Sequence, residues 1–205
     1  MDFFLTYLDK GGVIFSFLFF LSIITIAIVV YKYLEIYFFQ TLDFNKLIDL
    51  VNNTNQKLTL KEIEENFVDL APRSARNLLI RVLNIFYQNK SNQETEEEIN
   101  SIVELEFNKR QSLLPSLEII SQVSPLIGLL GTVIGMIDSF NELELGGSLV
   151  DPSILAGGIW TALLTTAMGL IVAIPALVSH YFFEKKINKY FLNVDLLFRK
   201  LSTLK

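Results

Sequence analysis

The chain has 205 residues, 51% of them hydrophobic and 19% charged, with mean hydropathy +0.44 and a formal net charge of −5. A soluble domain rarely joins positive hydropathy to long charge-free runs, so composition points to the membrane, and the acidic balance argues against a nucleic-acid footprint. With no cysteine and one histidine, His180, the chain lacks a disulfide framework, a thiolate metal site and a histidine cluster.

Residues 1–10 precede the first apolar run and carry one base, Lys10. Gly11 to Tyr31 then runs without a charge and continues through Tyr33, Tyr37, Phe38 and Phe39, giving a first membrane helix over 11–39. The apolar core is too long for a signal peptide and no small-residue cleavage site follows, so this helix is expected to be retained. Tyr31, Lys32 and Tyr33 read as an interfacial anchor.

Residues 40–117 read as extramembrane helices, with no strand alternation and no repeat. Thr59 with Glu62, and Ser91 with Glu94, have capping-box spacing. After Pro72, the residues Leu78, Leu79, Val82, Leu83 and Phe86 recur at helical spacing and make one amphipathic face. Glu94 to Lys109 reads as a charged helix running on toward the second span. Its acids Glu94, Glu96, Glu97 and Glu98 sit where the helix dipole favours them, as a solvated face. Asn52 to Asn55 is the clearest loop.

The second span is expected over 118–138, bounded by Glu118 and Asp138, and an acidic hairpin over 139–152 follows. The third span, 153–183, is longer than a bilayer requires and should tilt or project into water. Asp151 and Pro152 fit N-cap and first helical positions. A basic tail, 184–205, closes the chain. Lysine and arginine are numerous in 40–117 and in the tail, whereas residues 138–151 have four acids and no base. The positive-inside rule therefore places the middle and tail in the cytoplasm and the N-terminus and hairpin outside.

Two features set the last two spans apart from plain anchors. Small residues recur at i, i+3, i+4 spacing: Ser121, Ser124, Gly128, Gly131, Thr132 and Gly135 in one, and Gly158, Ala162, Thr166, Gly169, Ala173 and Ala176 in the other. Such faces let helices approach closely where lipid offers no hydrophobic drive. Thr132, Thr161, Thr165 and Thr166 also place hydroxyls at depth. A threonine can simply bond back to its own helix, or it can line a wet path for an ion. Neither span core holds an acid or base, so if the protein conducts a cation, the titrating carboxylate must come from a partner chain. Pro125 and Pro175 each remove a helix hydrogen bond, predicting a kink or hinge. His180 reads as interfacial and Trp160 as a packing or pore-wall aromatic. Glu118 is the acid placed for ion exit, or is a simple helix-flanking charge. No nucleophile–base pair, metal cluster or phosphate loop suggests an enzyme.

The segment from Pro125 through Gly128, Gly131, Thr132 and Gly135 to Met136 resembles the ExbB/TolQ family, distantly related to the flagellar stator protein MotA. So does the segment from Ala156 through Thr161, Thr165, Thr166 and Gly169 to Leu170, with Ile174, Pro175 and Ala176. The motifs cover about a third of the chain, and the remainder agrees in topology.

The resemblance implies an all-α integral membrane protein with three spans and a cytoplasmic helical domain, assembled as a homopentamer in the bacterial inner membrane. It also implies a single-span ExbD- or TolR-like partner whose membrane aspartate takes up the ion, and work delivered to the outer membrane. By the same resemblance Thr132 and Thr166 face that aspartate, with Thr161 and Thr165 on the same path. Gly128, Gly131, Gly135, Gly158 and Gly169 permit tight packing, while Pro125 and Pro175 shape the pore. Relatives carry glutamate where this chain has Thr161 and alanine where it has Thr165, so the wall here has hydroxyls and no carboxylate. Proton and sodium both stay open as the transported ion, with no other cofactor expected. The rival expectation is a non-conducting membrane scaffold built on the same small faces.

Overall fold

The computed structural model describes residues 2–39, 93–146 and 152–203, together with residues 78, 81, 82 and 85. Every described element is α-helical: α1 (Asp2–Phe39), α2 (Gln93–Gln111), α3 (Leu114–Gly146) and α4 (Pro152–Thr203). Three helical stretches are long and apolar enough to cross a membrane: Gly12–Ile36, a part of Thr95–Leu145, and a part of Leu155–Leu196. Thr59, Glu62, Leu79, Leu83, Phe86, Ser91 and Asp151, singled out in the sequence, lie outside the described residues.

α1 is two helices joined across Gly12, whose φ of +63° is a left-handed conformation that glycine adopts without a Cβ penalty. A second break separates α2 from α3. The charged helix read over Glu94 to Lys109 and running on toward the second span closes at Gln111, and Leu113 takes φ +71°. For a residue with a Cβ that conformation costs about 1–2 kcal/mol. The Ser112 amide donates to the Lys109 carbonyl at 3.4 Å, and the Leu117 amide donates to the Leu113 carbonyl at 3.2 Å. The chain thus leaves one helix and enters the next within two residues. α3 and α4 continue through Pro125 and Pro175. Those prolines have no N–H for the carbonyls of Ser121 and Ile171, which are left to other donors.

The chain divides into two compact units, one of Met1–Val30 and Leu113–Phe182, the other of Tyr31–Ser112 and Phe183–Lys205. In the first, Phe15 and Leu18 of α1, Leu114, Leu117 and Ile120 of α3, and Ala162, Val172, Ala173 and Ala176 of α4 are buried. Large apolar side chains such as Phe20, Ile26, Leu126, Leu163 and Ile174 are exposed, as expected of helices whose outer faces meet lipid.

The second unit is built otherwise. Phe183, Ile187, Phe191 and Val194 are buried along one stripe of α4, the i, i+4 spacing of a helix face. Phe107 of α2 meets Phe191 edge-on, with ring centroids 4.9 Å apart. Leu78 and Val82, two members of the amphipathic face read after Pro72, are helical and buried.

Lys32 departs from its expected role. It is fully buried, not an interfacial anchor, while Tyr31 and Tyr33 beside it are exposed. Its Nζ donates to Glu35 Oε2 at 2.8 Å and to the Arg110 carbonyl at 2.9 Å. The Arg110 carbonyl lies in the last turn of α2, where it has no intrahelical donor, so the ammonium caps that helix. The Arg110 guanidinium reaches Glu35 at 3.5 Å and holds Glu106 at 2.9 Å. Two acids balance two bases, which is the condition under which charges are retained away from water.

Candidate functional site

The site is built where α3 and α4 of the first unit meet, and glycine makes it possible. A Cβ built on Gly128 would lie 2.8 Å from the Thr165 carbonyl oxygen and 3.0 Å from Thr166 Cα. One on Gly169 would lie 2.6 Å from the Ser124 carbonyl oxygen and 3.2 Å from Gly128 Cα. These neighbours are backbone and cannot give way, so the two main chains touch. At Gly131 a Cβ would strike the Thr165 hydroxyl and would come within 3.1 Å of Ile14 on α1. At Gly158 it would strike the Ser139 hydroxyl, and at Gly135 it would meet Ala162 at 3.0 Å. The contacts run in opposite order along the two helices, from Ser124 with Gly169 to Ser139 with Gly158, so the helices are antiparallel. The small-residue stripes read in the sequence thus face each other within one chain.

This close approach brings two of the four threonines together. Thr165 Oγ1 and Thr166 Oγ1 each donate to the Gly128 carbonyl at 3.1 Å, across the helix pair. Thr165 also lies 2.7 Å from the Ala162 carbonyl of its own helix. One hydroxyl proton has two acceptors within reach, and either bond can form without moving a heavy atom. It is buried, at 4% exposure. Thr132 and Thr161 lie apart from this cluster. Thr132 Oγ1 donates to the Leu129 carbonyl at 2.6 Å and Thr161 Oγ1 to the Gly158 carbonyl at 2.9 Å, the back-bonding open to a helical threonine. Their second lone pairs remain acceptors, so the hydroxyls can still order water or a cation. Ser124 is fully buried between the stripes and its hydroxyl has no hydrogen-bond partner among the described residues.

Pro125 lies three residues before Gly128, on the side of Ser124, and Pro175 lies six residues beyond Gly169. Trp160 is 58% exposed. Glu118, at the start of α3, has its Oε2 4.0 Å from His180 Nε2 on α4. The sequence offered no pairing for these two, because 62 positions separate them; antiparallel α3 and α4 supply it.

A profile of the MotA/TolQ/ExbB proton channel family matches residues 52–195, over two thirds of the 205-residue chain. Among curated relatives, the biopolymer transport protein exbB1 of Vibrio cholerae is 43% identical over 63 residues, covering 31% of this chain and 28% of that protein. A putative ExbB homolog of Methanothermobacter thermautotrophicus is 32% identical over 120 residues, 58% of this chain and 41% of its own. The Tol-Pal system protein TolQ of Pseudomonas aeruginosa is 36% identical over 106 residues, 48% and 46% of the two chains. Each match spans less than half of the relative's length. The match runs through α2, α3 and most of α4 and includes every threonine and glycine of the helix interface, so the chain belongs to the MotA/TolQ/ExbB proton channel family.

Proposed function

We propose that the chain is the channel-forming subunit of an ion-driven motor, working with a single-span ExbD- or TolR-like partner that brings a membrane aspartate. In this reading five copies assemble in the inner membrane, with 1–10 and 139–152 on the periplasmic side and 40–117 and 184–205 in the cytoplasm. Spans 118–138 and 153–183 surround the partner. The observation that carries the reading is the pair of hydroxyls, Thr165 and Thr166, gathered on one carbonyl in a wall without carboxylates. Such a wall relays or coordinates a small cation but does not itself titrate, which leaves the proton-carrying group to the partner. Thr132 and Thr161 extend the hydroxyl path, Glu118 stands at its exit, and Gly128, Gly131, Gly135, Gly158, Gly169, Pro125 and Pro175 set its shape.

The alternative is a non-conducting scaffold, favoured by the bonds that Thr132 and Thr161 make to their own helices. Flux decides between them. In vesicles holding the chain and its partner, Thr166→Ala is expected to abolish ion flux while assembly persists. Full flux in Thr166→Ala, combined with loss of assembly in Gly128→Leu, supports the scaffold. Running the same vesicles with and without sodium identifies the ion, since flux unchanged in sodium-free buffer assigns the proton.

A further inference from the structure

Between Leu113 and Phe182 there is no lysine or arginine, so His180 is the only side chain there able to carry positive charge. From Leu113 up to Asp138 the only acid is Glu118. The fold places these two isolated groups opposite each other, with Nε2 and Oε2 4.0 Å apart. The imidazole is nearly enclosed, at 16% side-chain exposure, while the carboxylate is half in the open at 52%. Gln122 Nε2 lies 3.4 Å from Glu118 Oε1, so it occupies that oxygen and leaves Oε2 toward the ring. No other titratable group faces His180 from α3, and α1 from Gly12 to Val30 brings none. On α4 itself Tyr181 is adjacent and Glu184 lies one turn on.

We propose that Glu118 and His180 form a proton-exchange pair that receives the conducted proton at the end of the α3–α4 path and returns it to water. This rests on the channel reading above, and it adds a residue to that path as well as a choice of ion. A proton arriving from the path binds Nε2 and forms an N–H bond, and the ring becomes an imidazolium held by the Glu118 carboxylate. Oε2 stands beyond direct hydrogen-bond reach of Nε2, so one bridging water takes the Nε2 proton as it gives its own to Oε2, and the carboxylic acid then releases a proton to water from its exposed side. One proton enters and one leaves, and both groups return to their starting states. Histidine suits the task as the side chain type that gains and loses charge near neutral pH. Nitrogen is a poor ligand for a hard alkali cation such as sodium, so the pair favours the proton.

Two measurements test this. In vesicles holding the full complex, Glu118→Gln and His180→Gln are each expected to lower proton flux at least about tenfold, the scale on which a positioned acid or base matters. The exchanged pair, Glu118→His with His180→Glu, is expected to recover flux to within about threefold of wild type, which a purely packing role would not allow. In the chain alone in bilayers, the lone histidine gives one set of imidazole nitrogen-15 resonances. Glu118→Gln is expected to move those resonances, because the carboxylate 4.0 Å from Nε2 is gone. A conducting wild type with undiminished flux in both single variants overturns the exchange role, and unmoved imidazole resonances overturn the pairing. A wild-type complex that passes no protons at all overturns the channel reading instead, while the resonance measurement still reports on the pair.

Discussion

From Gly158 to Gly169, α4 meets α3 through glycine, alanine and threonine, with main chains in contact. From Phe183 to Val194, the same helix buries two phenylalanines, an isoleucine and a valine, in the unit that also contains the Lys32, Glu35, Glu106 and Arg110 network. One helix therefore carries two association chemistries. In lipid, burying a large apolar side chain gains little, because the solvent is itself apolar; close main-chain approach and cross-helix hydrogen bonds remain. In water, large apolar surfaces and balanced charges do the work. The change of chemistry falls at residue 183, where the chain passes from the first compact unit to the second.

Substitution should separate the two chemistries. The largest effect is expected for Gly169→Leu. Its Cβ would press on the Ser124 carbonyl, which is backbone, so the helices must part. A loss of at least about 3 kcal/mol is expected, at the upper end of overpacking costs, read as a lowered unfolding midpoint in detergent. Gly157→Ala, next to Gly158 but with nothing within 4 Å of the added Cβ, should instead gain about 0.5–1 kcal/mol of helix propensity. Next comes Lys32→Met. It keeps the volume but removes the ammonium, uncapping α2 and leaving Glu35 to Arg110 alone, at an expected cost of about 2–3 kcal/mol, discounted from fully buried pairs because Glu35 is partly exposed. A midpoint unchanged in Lys32→Met would place the stability of that unit in its aromatic stripe alone.

Thr165→Val and Thr166→Val are expected to cost about 1 kcal/mol each. Because both hydroxyls share the Gly128 carbonyl, the double variant should cost more than the sum, since only then does that oxygen lose both cross-helix donors. Strict additivity in this cycle would mean that the shared acceptor has no energetic meaning. The smallest effect is expected at Leu113→Gly. Relief of the left-handed φ is partly offset by chain entropy, leaving a gain of about 0.5 kcal/mol. A loss there would show that the Leu113 side chain, 38% exposed, holds a contact that outweighs its strain.

Much of this fold is legible in the sequence, because hydropathy and helical spacing are local signals. The three long apolar helices, the two small-residue stripes and the helix start at Pro152 follow from runs and intervals alone. What escapes is pairing between distant residues. Lys32 reads as an anchor because the tyrosines on either side carry the interfacial pattern; its acceptor on Arg110 is invisible to any window. The break at Leu113 does carry a local signal, Pro115 in the first turn of α3, where a helix start tolerates proline. Within the site, the family motif singles out Thr132 and Thr166, whereas the fold pairs Thr166 with Thr165. Only the depth to which Gly128 lets the helices approach separates Thr165 and Thr166, which bond across the pair, from Thr132 and Thr161, which bond within their helices.

Lys32 also bears on the order of events during synthesis. Its carbonyl acceptor lies 78 residues later in the chain, so at roughly 5–20 residues per second the ribosome supplies it about 4–16 s after Lys32 itself. Throughout that interval the first helix holds a charge that has no helix end to cap. The ammonium must wait in water or among lipid headgroups, which pins the depth of α1 in the bilayer until α2 is complete. Final seating of the first helix is therefore a late step, timed by the translation of Arg110.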